Sequence, residues 1–88
     1  MKMIIAIIEN HHSDATSSAL IKQGFRITRL ASMGGFLREG ATTLMVGVED
    51  DELEQALNVI RQQTPPTDDF SKIQATIYVL NVKNFKRA

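Results

Sequence analysis

The sequence contains no cysteine and no tryptophan, and only two of its 88 residues are proline. Without cysteine, disulfides, thiolate metal sites and cysteine nucleophiles are excluded. Ten basic residues balance ten acidic ones, so no global field attracts nucleic acid or an anionic membrane. No apolar run approaches the roughly 20 residues that span a bilayer. We therefore expect a cytoplasmic protein that neither binds nucleic acid nor spans a membrane.

The composition that is present is typical of a folded domain, with 43% hydrophobic and 23% charged residues. The length predicts a single domain over residues 1–88. A chain this short buries only about 60–65% of its unfolded surface, so association would add stability. The segment 1–12 has a short apolar run but no small-residue cleavage site, which indicates a strand rather than a signal peptide.

Four segments have strand patterns. Residues 3–8 are continuously apolar, which is typical of a strand covered on both faces. Residues 25–33 and 41–48 alternate, and residues 73–82 form a fourth apolar run. In the second segment the alternation separates Phe25 and Ile27 from Arg26, Thr28 and Leu30, and in the third it separates Leu44, Val46 and Val48 from Thr43, Met45 and Gly47.

Two segments have helix patterns. Residues 13–24 predict a helix that is capped by Ser13 and stopped by Gly24, with a modest stripe formed by Ala15, Ala19 and Ile21. Residues 49–63 are the clearer case, because the acidic start and Arg61 near the end both suit the helix dipole. Their predicted buried stripe, with helical spacing, consists of Leu53, Ala56, Leu57 and Ile60.

The resulting β-α-β-β-α-β order predicts an α+β, ferredoxin-like fold: an antiparallel four-stranded sheet with both helices on one face. Each strand carries apolar residues on both of its faces, and the helices cover only one. Soluble monomers rarely expose a large apolar patch. We therefore expect other copies of the chain to cover the second face.

Motifs for catalysis or metal binding are weak. Adjacent histidines such as His11 and His12 seldom converge on one metal, and no third ligand is evident nearby, so a solvated loop is expected. The acidic run 49–54 lacks EF-hand spacing. There is no Walker motif, no Gly-x-Gly-x-x-Gly and no Gly-x-Ser-x-Gly. We expect no enzyme, no metal and no cofactor.

The segment "SMGGFLREG", residues 32–40, is richer than a strand connection requires. Gly34 and Gly35 permit close backbone approach, and consecutive N–H groups in such loops form anion-binding nests. Nearby arginines are suited to phosphate, and Phe36 is suited to stacking on a base. An ordinary glycine-led connection, with Phe36 packed on a neighbour, explains the same residues slightly better.

The segments "MKMIIAI", "FRITRLASMGGFLREGATTLMVGVEDD" and "ATIYVLNVKNF" together resemble the cyclic-di-AMP receptor family of PII-like signal transduction proteins. The most specific part is "FR-x-T-x-LA-x-x-GGFLR-x-G-x-TT". The resemblance implies a PII-like homotrimer with nucleotide held in clefts between subunits. It also implies a small cytoplasmic bacterial protein without catalysis, which signals by rearranging loops that contact a downstream protein.

The resemblance also implies a set of ligand-binding positions. Two lie on the second strand, one on the third strand, three in the glycine loop, and one on the last strand where the family has a stacking phenylalanine. These positions are Arg26, Thr28, Gly47, Gly35, Phe36, Leu37 and Tyr78.

Other positions differ from the family pattern. Ala41 stands where the family commonly has asparagine, Ile73 and Gln74 replace two glycines, and the span 63–72 is shorter than the family's mobile loop. These differences support an alternative, a trimeric interaction protein of the same fold that no longer binds nucleotide. A third reading, an acylphosphatase-like enzyme, needs an Arg and Asn pair beside an attacking water, and the sequence offers none.

Overall fold

The computed structural model describes residues 1–30, 40–64 and 75–83. These residues have the predicted β-α-β-β-α-β order, which confirms the ferredoxin-like fold. None of the described helices is both long enough and apolar enough to cross a membrane. The elements are β1 (Lys2–Glu9), α1 (Asn10–Lys22), β2 (Ile27–Leu30), β3 (Ala41–Val48), a 3-10 turn (Asp50–Glu52), α2 (Leu53–Gln63) and β4 (Ala75–Asn81).

The four strands form one antiparallel sheet in the order β2-β3-β1-β4. β1 is a central strand, and its register with β3 runs without interruption from Lys2 opposite Val48 to Glu9 opposite Ala41. β2 is an edge strand with four register pairs to β3. β4 forms the other edge of the described sheet and pairs with β1.

The core lies between the sheet and the two helices. Alternate residues of β1 point into it, and Ile4, Ala6 and Ile8 are fully buried. Leu44 and Val46 of β3 are equally buried. Burying each large aliphatic side chain contributes about 1.5–3 kcal/mol, so this layer is the main source of stability.

α2 is close to its prediction. Ala56, Leu57 and Ile60 are buried in the core cluster, and Leu53 packs against that cluster partly exposed. The 3-10 turn ahead of α2 is closed by a capping box between Glu49 and Glu52, which satisfies otherwise free N–H groups.

α1 departs from its prediction. It starts at Asn10, directly after β1, so Ser13 is not a cap but an internal residue. The Asn10 N–H donates to the Gly40 carbonyl at 2.9 Å, which fixes the first turn against the start of β3. The expected stripe of alanines and Ile21 is also wrong, since Ile21 is 60% exposed. The buried residues are Ser13, Thr16, Ser17 and Leu20.

The sheet face away from the helices, which we call the open face, carries the odd-numbered residues of β1 and β3 and the even-numbered residues of β2 and β4. It is apolar and partly exposed, as expected: Leu30 is 42%, Leu80 49% and Tyr78 54% exposed. The oligomer expected to cover this face stays a prediction.

Candidate functional site

A cavity of about 620 Å³ lies at the start of β2. Its walls come from the end of α1, from β2, from the end of β3 and from the start of β1. The lining residues are Met1, Met3, Ile21, Phe25, Arg26, Ile27, Thr28, Met45 and Gly47. Three of the seven predicted ligand-binding residues, Arg26, Thr28 and Gly47, are therefore brought together in one cavity.

Arg26 supplies the positive charge of this cavity. Gly24, with φ of +90°, ends the turn after α1 and allows the chain to enter β2. Arg26 is exposed, and its guanidinium has no hydrogen bond or ion pair within the described part of the chain. Its five donors are thus available to an anionic ligand.

Arg29 has a different role from Arg26. It lies on the helix face of β2, where its Nη1 atom lies 2.6 Å from Asp14 Oδ1 and its Nη2 atom donates to Ser13 Oγ at 3.1 Å. Arg29 therefore docks β2 onto α1 and is not free to bind a ligand.

Thr28 and Gly47 form the floor of the cavity with Met45. Thr28 pairs with Met45, and Gly47 pairs with Met3 of β1. Paired residues in an antiparallel sheet point to the same face, so all four lie on the open face. Gly47 lines the cavity from that face.

Tyr78 is not part of the cavity within one chain. The register places Thr28, Met45, Ile5 and Tyr78 in one row across the sheet. Three strand spacings of about 4.8 Å separate the backbones at the two ends of that row, or about 14 Å. Tyr78 shares the open face with Arg26 and Thr28 but stands on the opposite edge of the sheet.

The remaining predicted positions in the glycine loop, Gly35, Phe36 and Leu37, lie outside the described residues. The described chain resumes at Gly40, which has φ of +78°. Ala41, at the position where the resemblance implies asparagine, is 1% exposed and pairs with Glu9.

Thr43 is a candidate that sequence reasoning missed. It lies on the open face opposite Ile7, next to Met45 in the alternating set. Its side chain is only 4% exposed, and its hydroxyl has no hydrogen-bond partner among the described residues. A buried hydroxyl without a partner costs about 1–3 kcal/mol. Strand alternation predicts that Thr43 lies on this face, but no sequence pattern indicates that its hydroxyl lacks a partner among the described residues.

The expected solvated loop at the two histidines is wrong, because α1 begins at Asn10 and both residues lie in its first turn. The ring centroids of His11 and His12 are 4.0 Å apart. Glu9 supplies the third group that the sequence reading did not count, and its Oε2 atom lies 3.3 Å from His11 Nδ1. The spacing Glu-x-His-His at a strand-to-helix junction was the available signal.

The chain is similar to known proteins over most of its length. The chain matches the family described as "Cyclic-di-AMP receptor" over residues 1–72. It is also similar to a solved structure from Pediococcus pentosaceus, described as a functionally unknown protein. The two chains are 30% identical and superpose with a TM-score of 0.80, covering 99% of this chain and 96% of the other.

Proposed function

Because the chain belongs to the cyclic-di-AMP receptor family, we propose that it is a non-enzymatic PII-like signalling protein that binds cyclic-di-AMP or a related nucleotide at the interfaces of a homotrimer. It acts in the bacterial cytoplasm on a downstream protein. The observation that carries the proposal is the Arg26 guanidinium, which has no partner among the described residues and lies beside Thr28 and Gly47 in one open cavity.

The cavity suits a nucleotide chemically. Arg26 provides charge-assisted hydrogen bonds to a phosphate, and Thr28 offers a hydroxyl that donates or accepts. Met3, Met45 and Phe25 supply apolar contact for a base. A site of this volume with mostly apolar walls and a few polar groups is typical of small-ligand binding.

The position of Tyr78 supports a site between subunits. About 14 Å of sheet separates its backbone from that of Thr28 within one chain, too far for both residues to contact one base. A second copy packed on the open face would bring its own Tyr78 toward the cavity of the first. Gly35, Phe36 and Leu37 complete the proposed set.

The alternative function, an interaction trimer without nucleotide, is favoured by one observation. Ala41 has no polar side-chain atom and is buried, so this position provides no hydrogen bond to a base edge. Losing one such partner costs about 1–3 kcal/mol, or roughly a 10- to 100-fold loss of affinity.

Calorimetry with cyclic-di-AMP, AMP and ATP separates the two functions. We expect saturable binding of the dinucleotide by the wild-type chain. Arg26→Ala should weaken it about 10- to 100-fold, because a charge-assisted hydrogen bond contributes about 1.5–3 kcal/mol. Phe36→Ala should weaken it as well.

Arg61→Ala is the matched control for Arg26→Ala. Arg61 is exposed on α2, on the other side of the sheet, and its Nη1 atom lies 4.0 Å from Glu54 Oε2. The Arg61→Ala variant should bind the dinucleotide as tightly as the wild type. If a confirmed trimer gives no heat with any of the three nucleotides, the nucleotide-binding function is wrong and the interaction function replaces it.

A further inference from the structure

We propose that Glu9, His11 and His12 form a binding site for a divalent transition metal of the zinc class. Each residue offers one donor atom, and these three atoms lie within 4.8 Å of one another. Two imidazole nitrogens and one carboxylate oxygen are the donors that such ions take from proteins.

The spacing of the donors is close to what an ion requires. Zinc bonds of about 2.0–2.1 Å in a tetrahedron place neighbouring donors about 3.3 Å apart. Glu9 Oε2 and His11 Nδ1 are already separated by 3.3 Å. All three donor atoms lie within 4.8 Å of one another, so the remaining donor has to move by at most about 1.5 Å to reach this spacing.

The backbone that carries the three residues is fixed at several points. The Asn10 N–H donates to the Gly40 carbonyl at 2.9 Å, and the Thr42 hydroxyl donates to Asn10 Oδ1 at 2.7 Å. The Thr16 hydroxyl donates to the His12 carbonyl at 2.8 Å. Ligands held on a fixed frame lose less entropy when they bind a metal.

The local charge and the solvent exposure of these three residues are also compatible with a bound metal ion. The start of α1 carries a partial positive charge that opposes a cation, and the Glu9 carboxylate offsets it. Because His11 is exposed, a fourth coordination position remains open to water, as in sites with three protein ligands.

The site is separate from the nucleotide cavity. Met3 lines the cavity at the start of β1, whereas Glu9 ends that strand. Six residues at about 3.3 Å each place them about 20 Å apart. The metal site therefore does not rest on the proposed function, and either one can fail without the other.

The test is a calorimetric titration of the tag-free chain with Zn²⁺. His11 and His12 are the only histidines in the sequence, so no other imidazole competes. We expect one ion per chain, with affinity lowered at least about tenfold in His11→Gln, His12→Gln and Glu9→Gln, since loss of even outer-shell partners costs about 10- to 100-fold. Glu54→Gln, which alters an exposed carboxylate on α2, should bind Zn²⁺ like the wild type, and so should Arg26→Ala.

Long-range ¹H–¹⁵N spectra of the wild-type imidazoles give a second readout that needs no variant. Nitrogen signals from both rings should shift on Zn²⁺ addition and stop changing at one equivalent. The proposal is overturned if only one ring responds, if the titration does not saturate at one ion per chain, or if Glu9→Gln binds as tightly as Glu54→Gln.

Discussion

At the scale of single residues, Asp50 is linked to the Met1 amine. The amine nitrogen lies 3.0 Å from Asp50 Oδ1. A hydrogen bond from this amine, together with its positive charge, lowers the pKa of the Asp50 carboxyl below its ordinary value. The contact joins the start of β1 to the 3-10 turn ahead of α2.

This ion pair predicts a defined pH dependence. A carboxyl whose pKa is depressed by folding contributes stability that is fully present above its unfolded pKa and is lost as the pH falls through its folded pKa. We expect NMR titration to find Asp50 below the ordinary aspartate value. Acetylation of the Met1 amine should raise the pKa back toward that value. An unchanged Asp50 titration after acetylation would show that the contact does not form in solution.

Arg26 and Arg29 illustrate what could be read from the sequence about the site. Strand alternation predicts that they lie on opposite faces of β2, and they do. It does not reveal that Arg29 meets Asp14 and Ser13, because those partners come from a helix whose start was misplaced by three residues. The distance between Tyr78 and Thr28 follows from the order and register of the strands, and the alternation of residues within one strand does not specify either of them.

At the scale of elements, the two helices differ in how well their sequences predicted them. α2 buries Ala56, Leu57 and Ile60 at regular helical spacing, so its apolar stripe was readable. α1 buries three hydroxyl residues and a single leucine. Hydroxyl groups that bond to their own helix can be buried at little cost, but a hydropathy pattern registers them as polar and places the stripe on the wrong side.

Two serines of α1 form a matched pair for a stability prediction. Ser13 Oγ donates to the Asn10 carbonyl and accepts from Arg29, whereas Ser17 Oγ is buried without a partner in the described residues. Ser17→Ala should not lower the free energy of unfolding, and should raise it by at most about 3 kcal/mol, because an unsatisfied hydroxyl is removed. Ser13→Ala should lower it by about 1–2 kcal/mol.

Urea denaturation of both variants measures these changes. Equal losses of stability in Ser13→Ala and Ser17→Ala would mean that Ser17 is hydrogen-bonded in solution. Far-ultraviolet circular dichroism should be the same for both, since alanine favours helix.

At the scale of the whole molecule, the open face predicts association. Leu80 and Val79 are neighbours on β4 with similar exposure, 49% and 42%, but they point to opposite faces of the sheet. Leu80→Asp should convert the oligomer to monomers, because it puts a charge into an apolar interface. Val79→Asp, the matched control, should leave the oligomer intact.

Light scattering reports the mass of each variant. A wild-type chain that is monomeric at high concentration would contradict the expectation that other copies cover the open face. An oligomer that withstands Leu80→Asp but not Val79→Asp would place the interface on the helix side of the sheet.

Thr28 lies in β2, and Arg26 directly precedes this strand, which has the fewest register pairs among the described strands. Within the described residues, β2 has four register pairs and a neighbouring strand on one side only, whereas β1 is hydrogen-bonded on both sides along its length. Local opening of such an edge has a low free-energy cost, so amide protons of β2 should exchange with solvent well before those of β1. A ligand bound by Arg26 and Thr28 would then slow amide exchange in β2 first. Ligand binding would therefore convert the strand that opens most readily into a more ordered one.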